Sequence, residues 1–250
     1  MMRIALIGTG NLAIHMAQVF KRHKEISCVQ WIGRKMASPL PCDSLPYFNT
    51  FQSDIAIDVC ILAISDDQIV SVAEALPKHN FLIVHTSGAV SKNVMDSHSR
   101  TGVFYPLQSF LKDSPIDWND IPLCIEADTN KDIKILNSLA AYFGNNTHQI
   151  SEDQRLRLHT AAVYVNNFCT HLLATSKEIT NEAKLPFSLL KPLIKETFMR
   201  SNADDILSMQ TGPAKRNDTV TQNKHIQVLD SNQVTLYRIL SESIFNTHNT

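Results

Sequence analysis

The chain has 250 residues, of which 44% are hydrophobic and 19% are charged. These proportions are typical of a globular protein with one or two domains. The formal net charge is −1, so the sequence offers no basic field that would attract nucleic acid. The first apolar run, Ile4 to Ile7, is too short for a signal peptide or a membrane span. We therefore expect a cytoplasmic protein with no nucleic-acid or membrane partner.

The cysteine and histidine positions argue against disulfides and metal binding. The cysteines are scattered, odd in number and without a C-x-x-C pair: Cys28, Cys42, Cys60, Cys124 and Cys169. Most of them lie in apolar runs, so we expect reduced core residues. The histidines show no ligand spacing such as H-E-x-x-H, so we expect no metal site.

The N-terminal stretch predicts a strand, a glycine turn and a helix in succession. Ile4 to Ile7 is wholly apolar, as expected of a strand buried on both faces of a parallel sheet. After the turn, Leu12, Met16 and Phe20 recur every four residues, as on one face of a helix.

The turn itself has the pattern G-x-G-x-x-A, which is typical of dinucleotide binding. Gly8 permits the tight turn, Gly10 lets the backbone approach a pyrophosphate, and Ala13 keeps the helix close to the strand. Free N–H groups at the start of the helix favour the phosphate charge. An ordinary strand-to-helix turn is the alternative, and the position between the right two elements favours dinucleotide binding.

The second predicted strand, Ser27 to Ile32, ends in the basic turn Gly33-Arg34-Lys35. An NAD-binding unit usually has an acidic residue there, which hydrogen-bonds the ribose hydroxyls. This chain offers Arg34 and Lys35 instead, whose cations suit a 2′-phosphate. A solvated basic turn is the alternative, but the glycine turn upstream favours NADP.

Strands and helices then alternate up to about residue 150. Residues 37–46 contain three prolines and no helical period, so we expect the second crossover helix to be short or lost. Ser65 to Asp67 is predicted to cap a helix that Pro77 ends, and a second helix is predicted at 131–143. Further strands are predicted at 47–51, 58–64, 81–84, 102–108 and 121–126, with an edge strand at 147–150. Ser65 and His85 to Gly88 would fall at the carboxyl edge of the sheet, beside the cofactor.

From Ser151 onward the pattern is helical throughout. Ser151 and Gln154 fit a capping box, and three more helices are predicted at 186–200, 219–229 and 233–245. The predicted fold is therefore α/β: a Rossmann-like, mostly parallel sheet at 1–151, followed by a separate all-helical domain at 152–250.

The first helix of the second half carries polar residues within an apolar stretch. Leu156 to Leu173 is apolar nearly all round, as in a helix that others enclose. Seven residues make nearly two helical turns, so His159 and Asn166 should share one face about 10 Å apart. Buried polar groups need partners in protein, water or ligand. These residues are therefore either satisfied core residues or part of a site.

A second polar constellation is the segment Thr211–Asp218, which is predicted to be a turn between helices. Gly212 and Pro213 break the chain, and Asp218 would cap the next helix. Lys215 and Arg216 are either solvated or hold an anionic group.

Seven segments together carry a resemblance to a known family: GTGNLA at 8–13, GRK at 33–35, LAISD at 62–66, HTSGA at 85–89, YPLQSF at 105–110, HTAAVYVNNF at 159–168 and TGPAKRND at 211–218. The N-terminal half resembles the NADP-binding unit shared by pyrroline-5-carboxylate reductase, ketopantoate reductase and the 6-phosphogluconate dehydrogenase group. Over nearly its whole length the chain more closely resembles an uncharacterised branch of NADP oxidoreductases with a C-terminal helical domain of unknown function.

The resemblance implies a division of roles between the two domains. In the better-studied relatives, the first long helix of the C-terminal domain brings a proton donor and an asparagine into the interdomain cleft. His159 and Asn166 or Asn167 would occupy those places here, although the catalytic lysine of the hydroxyacid relatives has no counterpart at 159. The relatives also pair their helical domains, and together with the apolar 156–173 helix this predicts a homodimer.

We therefore expect an NADP(H)-dependent oxidoreductase that transfers a hydride to or from a small carbonyl, hydroxyl or imine carbon in the interdomain cleft. One alternative is a non-catalytic NADP sensor or partner-binding protein on the same scaffold. Another is an NADPH:deazaflavin coenzyme oxidoreductase, which would require an open apolar slot. The candidate catalytic residues are His159 and Asn166. The candidate cofactor-binding residues are Gly8, Thr9, Gly10, Asn11, Leu12, Arg34, Lys35, Ser65, Asp66 and Ser87.

Overall fold

The computed structural model of the chain describes residues 1–34, 44–112, 114–200 and 204–249. By their contacts the residues form two compact units, Met1–Asn166 and Asn167–Thr250. We call them the sheet unit and the helical unit. The predicted domain boundary near residue 151 stays a prediction. Lys35, and most of the segment predicted to lack a crossover helix, lie outside the described residues.

The sheet unit contains one eight-stranded sheet. Its strands are β1 (Met2–Ile7), β2 (Ile26–Ile32), β3 (Tyr47–Phe48), β4 (Val59–Leu62), β5 (Leu82–His85), β6 (Thr101–Pro106), β7 (Leu123–Ala127) and β8 (Thr147–Gln149). The strand order is β3-β2-β1-β4-β5-β6-β7-β8. All neighbours pair in parallel except β6 and β7, which are antiparallel. The predicted Rossmann-like, mostly parallel sheet is confirmed, and each predicted strand has an observed counterpart.

The central strands are largely apolar because both faces of the sheet are covered. Ile4 and Leu6 of β1 pack in a core with helices α1 (Asn11–Arg22) and α3 (Asn130–Ala140). The alternate residues Ala5 and Ile7 pack on the opposite face with α2 (Ile69–Ala75). This two-sided burial explains why the sequence of β1 shows a continuous apolar run rather than alternation.

The last helix of the sheet unit is α4 (Glu152–Ala162). Ser151 and Gln154 form the predicted capping box at its start. Ser65 occupies the cap position of the short 3₁₀ turn before α2, but its side chain makes no capping hydrogen bond. A π-helical segment, Val163–Phe168, connects α4 to the next helix.

The helical unit contains α5 (Cys169–Glu182), α6 (Lys191–Met199), α7 (Thr219–Ile226) and α8 (Ser231–Asn249). Asp218 caps α7 as predicted, because its carboxylate accepts a hydrogen bond from the Thr221 N–H at 3.0 Å. Among the described residues of this unit, only Ala214 and Gln233 are buried.

Within a single chain the 156–173 stretch is not fully enclosed by other helices, and its enclosure by a paired helical domain stays a prediction. Leu156 is 46% exposed and Val165 is 69% exposed. The physical reason is the small number of helices in this half of the chain, which leaves too little apolar surface to surround the stretch on all sides.

Candidate functional site

A pocket of about 1060 Å³ lies at the carboxyl ends of β1, β2, β4 and β5. The turn after β1, Gly8–Leu12, lines the pocket, and so does Arg34, which follows β2. Ser65 and Thr86 line the pocket after β4 and β5. Because β1 lies between β2 and β4, this is the point where the strand order reverses, which is where open α/β sheets bind ligands.

The two glycines of the turn are required for different reasons. Gly8 has φ +125°, and a Cβ added to it would lie 2.0 Å from the carbonyl oxygen of Ala63. At Gly10 an added Cβ would meet nothing within 4 Å. The space in front of Gly10 is therefore open, so a ligand can approach the backbone there.

The start of α1 suits an anion. Gly10 is its cap residue and supplies no side-chain hydrogen bond, and the first turn contains no acidic residue. The first N–H groups of the helix have no intrahelical acceptor, so they can bind a phosphate with the help of the helix dipole. The side chain of Asn11 instead donates to the carbonyl of Phe110 at 2.9 Å.

The part of the pocket that follows β2 carries the predicted cation. Arg34 lines it and is exposed. The preceding Gly33 allows close packing, because an added Cβ would lie 2.3 Å from the hydroxyl of Tyr47 and 2.4 Å from the methyl of Thr9. The pKa of Asp67 is lowered mainly by its hydrogen bond with Ser65, and Arg34 adds a smaller electrostatic contribution.

Most, but not all, of the predicted cofactor-binding residues line the pocket. Gly8, Thr9, Gly10, Asn11, Leu12, Arg34 and Ser65 line the pocket. Asp66 is exposed and lies outside the set of residues that line it. Ser87 is buried, and its hydroxyl accepts hydrogen bonds from the N–H groups of Ala89 and Val90, both at 3.0 Å. That hydroxyl shapes the loop after β5.

Sequence reasoning missed a second group of pocket-lining residues: Asn49, Thr50, Phe51, Gln68 and Thr86. A signal for the first three was available, because a strand predicted at 47–51 must end at the same edge of the sheet as its parallel neighbours. The loop after β3 is held by Gln30. The side chain of Gln30 donates a hydrogen bond to the Gln52 carbonyl and accepts one from the Gln52 N–H, both at 2.8 Å.

His159 lies within the sheet unit, against residues of β6 and of the loop after β5. Its Nδ1 and the hydroxyl of Tyr105 are 2.9 Å apart, and the two rings meet edge to face at 76°. A Cβ added to Gly88 would lie 2.5 Å from the same Nδ1. Burial raises the pKa of Tyr105 to about 12, so its phenol stays protonated at neutral pH.

A buried polar cluster holds the loop after β5, which carries Gly88. Arg155 of α4 is fully buried and donates to the carbonyls of Ser87 at 3.2 Å and Val90 at 2.8 Å. It also pairs with Glu126 at 3.4 Å. Burial raises the pKa of Glu126, and Arg155 opposes that shift. The cluster fixes α4, and hence His159, against the loop at Gly88.

His85 completes the cluster and is neutral at pH 7. It is fully buried, and its Nδ1 accepts a hydrogen bond from the Ser87 N–H at 3.1 Å. Burial, with a further contribution from Arg155, lowers its pKa to about 4. A fixed neutral ring suits a structural role in the loop better than proton exchange at neutral pH.

Asn166 is exposed and lies in the π-helical segment. The prediction that it shares a face with His159 assumed α-helical geometry over seven residues. A π-helix closes its hydrogen bonds over five residues rather than four, so that count does not apply from Val163 onward. The role of Asn166 stays a prediction.

Comparison with known proteins identifies the family. A family described as "Domain of unknown function (DUF2520)" matches residues 121–244. A structure from Bacteroides fragilis, named as a putative NADP oxidoreductase, is 31% identical, with 98% of each chain covered and a TM-score of 0.85. The chain belongs to that NADP oxidoreductase family. The comparison with curated proteins finds no match.

More distant structures share the family's fold. A 1-pyrroline-5-carboxylate reductase from Streptococcus pyogenes is 14% identical over 99% of this chain and 98% of its own, with a TM-score of 0.61. A reductive aminase from Aspergillus terreus, solved with NADPH and ethyl-5-oxohexanoate, is 13% identical over 98% of this chain and 94% of its own, with a TM-score of 0.70.

Two features are absent from the residues of the chain that the structure describes. None of its helices there is long and apolar enough to cross a membrane. The same part of the chain contains no group of three or more His, Cys, Asp or Glu side chains arranged to hold a metal ion.

Proposed function

We propose that the chain is an NADPH-dependent oxidoreductase that transfers a hydride between nicotinamide and a small carbonyl, hydroxyl or imine carbon. The observation that carries the proposal is the layout of the pocket. Open space lies in front of Gly10 after β1, Arg34 follows β2, and Thr86 follows β5. β2 and β5 are three strand spacings apart in the sheet order, roughly 14 Å.

That layout gives each part of an extended dinucleotide its own residues. The pyrophosphate would bind at Gly10 and the start of α1, and the 2′-phosphate would bind at Arg34. The nicotinamide end would then lie at Thr86, two residues before Gly88, which contacts His159. When bound, the cofactor supplies the hydride.

His159 is the proposed proton donor at that end. Histidine is the side chain that most often serves as a general acid or base, because its imidazole can both give and take a proton. Asn166 is the proposed group that holds the substrate oxygen or nitrogen.

We also propose a homodimer formed through the helical unit. Large apolar side chains of this unit are exposed: Leu189, Leu193, Met199, Val220, Val228 and Ile239. Exposed apolar surface on this scale is typical of an association interface.

The cofactor assignment is tested by titration calorimetry with NADPH and NADH. We expect Arg34→Ala to weaken NADPH binding tenfold or more, since a charge-assisted contact to phosphate contributes roughly 1.5–3 kcal/mol. NADH binding should change little, and Arg22→Ala, an exposed arginine at the end of α1, should alter neither. Equal affinity of the unmodified protein for NADPH and NADH would contradict the assignment of NADPH as its cofactor.

Activity is tested by following NADPH oxidation in the presence of small oxo acids and cyclic imines. Turnover of at least one of these compounds supports the oxidoreductase. Tight NADPH binding without turnover of any compound would instead favour a sensor on the same scaffold.

A further inference from the structure

We propose that Tyr105 is the positioning residue of His159, and that Gly88 provides the space in which the imidazole is held. This inference rests on the proposed function and adds two residues to it. Tyr105 and His159 are 54 positions apart in the sequence, and the structure joins them by the 2.9 Å contact between the hydroxyl and Nδ1.

The contact assigns different roles to the two ring nitrogens. Nδ1 faces Tyr105 and lies over Gly88. In the part of the chain that the structure describes, no hydrogen bond is made to Nε2. Nε2 is therefore the nitrogen that can exchange a proton with a substrate.

The proton step balances at Nε2. In the charged ring both nitrogens carry hydrogen. The Nε2–H bond breaks, its electron pair stays on Nε2, and the proton forms a new O–H or N–H bond on the reduced substrate. The ring becomes neutral and later takes a proton from water at the same nitrogen.

A tyrosine hydroxyl suits this cycle because its oxygen can accept a hydrogen bond from Nδ1–H. Nδ1 keeps its hydrogen when Nε2 loses the proton, so the hydroxyl accepts from Nδ1–H of both the charged ring and the neutral ring. Tyr105 thus remains a partner in both charge states. Because its pKa is raised to about 12, it also adds no negative charge beside the imidazole at neutral pH.

Gly88 is the second residue that positions the imidazole of His159. A side chain there would overlap the imidazole, since an added Cβ lies 2.5 Å from Nδ1 and 2.9 Å from the Cβ of His159. The loop that carries Gly88 cannot easily retreat, because Arg155 holds the carbonyls of Ser87 and Val90. Gly88→Ala should therefore displace the imidazole without altering its chemistry.

The first test measures the ring nitrogens of His159 by ¹⁵N NMR in the full-length protein without cofactor. We expect Tyr105→Phe to shift both nitrogen resonances and Gly88→Ala to shift them as well. His225 is an internal reference, because its Nδ1 lies 2.9 Å from the hydroxyl of Tyr237 in the helical unit. Unchanged His159 resonances in Tyr105→Phe would overturn the inference.

The second test measures turnover with NADPH and a compound that the wild type reduces. We expect Tyr105→Phe and Gly88→Ala to lower kcat about tenfold, as small misplacements of a catalytic group do. NADPH affinity should stay close to that of the wild type, because neither Tyr105 nor Gly88 lines the cofactor pocket. Tyr142→Phe is the matched control, since Tyr142 packs edge to face on His23 elsewhere in the sheet unit, and it should behave like the wild type.

The outcomes separate the two proposals. A wild type that neither binds NADPH nor turns over any compound would overturn the proposed function. A wild type that is active and loses activity in His159→Gln, but keeps full kcat in Tyr105→Phe, would overturn only the inference about Tyr105.

Discussion

Gly8 and Gly10 stand two residues apart, yet the fold requires only one of them. Gly8 adopts a positive φ and touches backbone where a side chain would be. Gly10 has φ −72°, which any residue can adopt, and open space in front of it. Its lack of a side chain therefore serves a ligand rather than the chain itself.

This difference predicts opposite outcomes for two similar substitutions. Gly10→Ala should lower stability by no more than about 1 kcal/mol, the cost of a poorer cap residue. It should weaken NADPH and NADH about tenfold alike, because a methyl group there keeps both pyrophosphates from the backbone. Gly8→Ala should lower stability by at least about 1–3 kcal/mol, because the left-handed conformation is strained for alanine.

Urea unfolding and calorimetry together check both variants. The shared loss of NADPH and NADH separates Gly10→Ala from Arg34→Ala, which should affect NADPH alone. Unchanged binding of both cofactors by Gly10→Ala would contradict a pyrophosphate site at the start of α1.

At the scale of elements, the sequence predicted the strands and helix caps, because neighbouring residues in the chain determine them. The strands β1, β4 and β5 are apolar because both faces are covered, and the caps at Ser151 and Asp218 depend on residues three positions away. These patterns are visible in any single sequence. The pocket edge follows from the same patterns, since parallel strands end together.

The remainder of the candidate site depends on contacts between distant residues. The partners of His159 are Tyr105 and Gly88, which lie on other elements, and no spacing rule connects them. The π-helical turn at 163–168 resembles an ordinary helix in its composition. Buried Arg155 looks like a surface cation in the sequence, because it has charged neighbours and lies in the first turns of a helix.

The attachment of α4 to the sheet predicts a sharp contrast between two arginines on that helix. Arg155→Met should lower the free energy of unfolding by about 3–5 kcal/mol, because Glu126 is left largely buried without its partner. Arg157 is 78% exposed and pairs with Asp153, so Arg157→Met should change stability little. Urea denaturation measures both.

A second substitution checks the cause of that loss. Adding Glu126→Gln to Arg155→Met removes the unpaired charge and should restore part of the stability. Equal unfolding free energies for the Arg155→Met and Arg157→Met variants would show that the buried pair does not hold α4.

At the scale of the whole molecule, the two units differ in how they bury apolar surface. The sheet unit has continuous cores on both faces of its sheet. The helical unit buries only Ala214 and Gln233 among its described residues. Because a larger buried apolar core would stabilise a chain segment of this size, we predict that a second copy covers its exposed leucines, valines and isoleucines. A second copy supplies the same apolar surface at equal concentration, and self-complementary pairing is the commonest form of assembly.

The dimer is tested by placing a charge on this surface. Val228 is 69% exposed in the helical unit, and Val70 is 42% exposed on α2 of the sheet unit. Light scattering should give twice the chain mass for the wild type and for Val70→Lys at micromolar concentration. Val228→Lys should dissociate or lose thermal stability, because burying an unpaired ammonium group in an apolar interface is unfavourable. A monomeric wild type, or a Val228→Lys variant that keeps both the dimer mass and the wild-type melting temperature, would contradict pairing through this face.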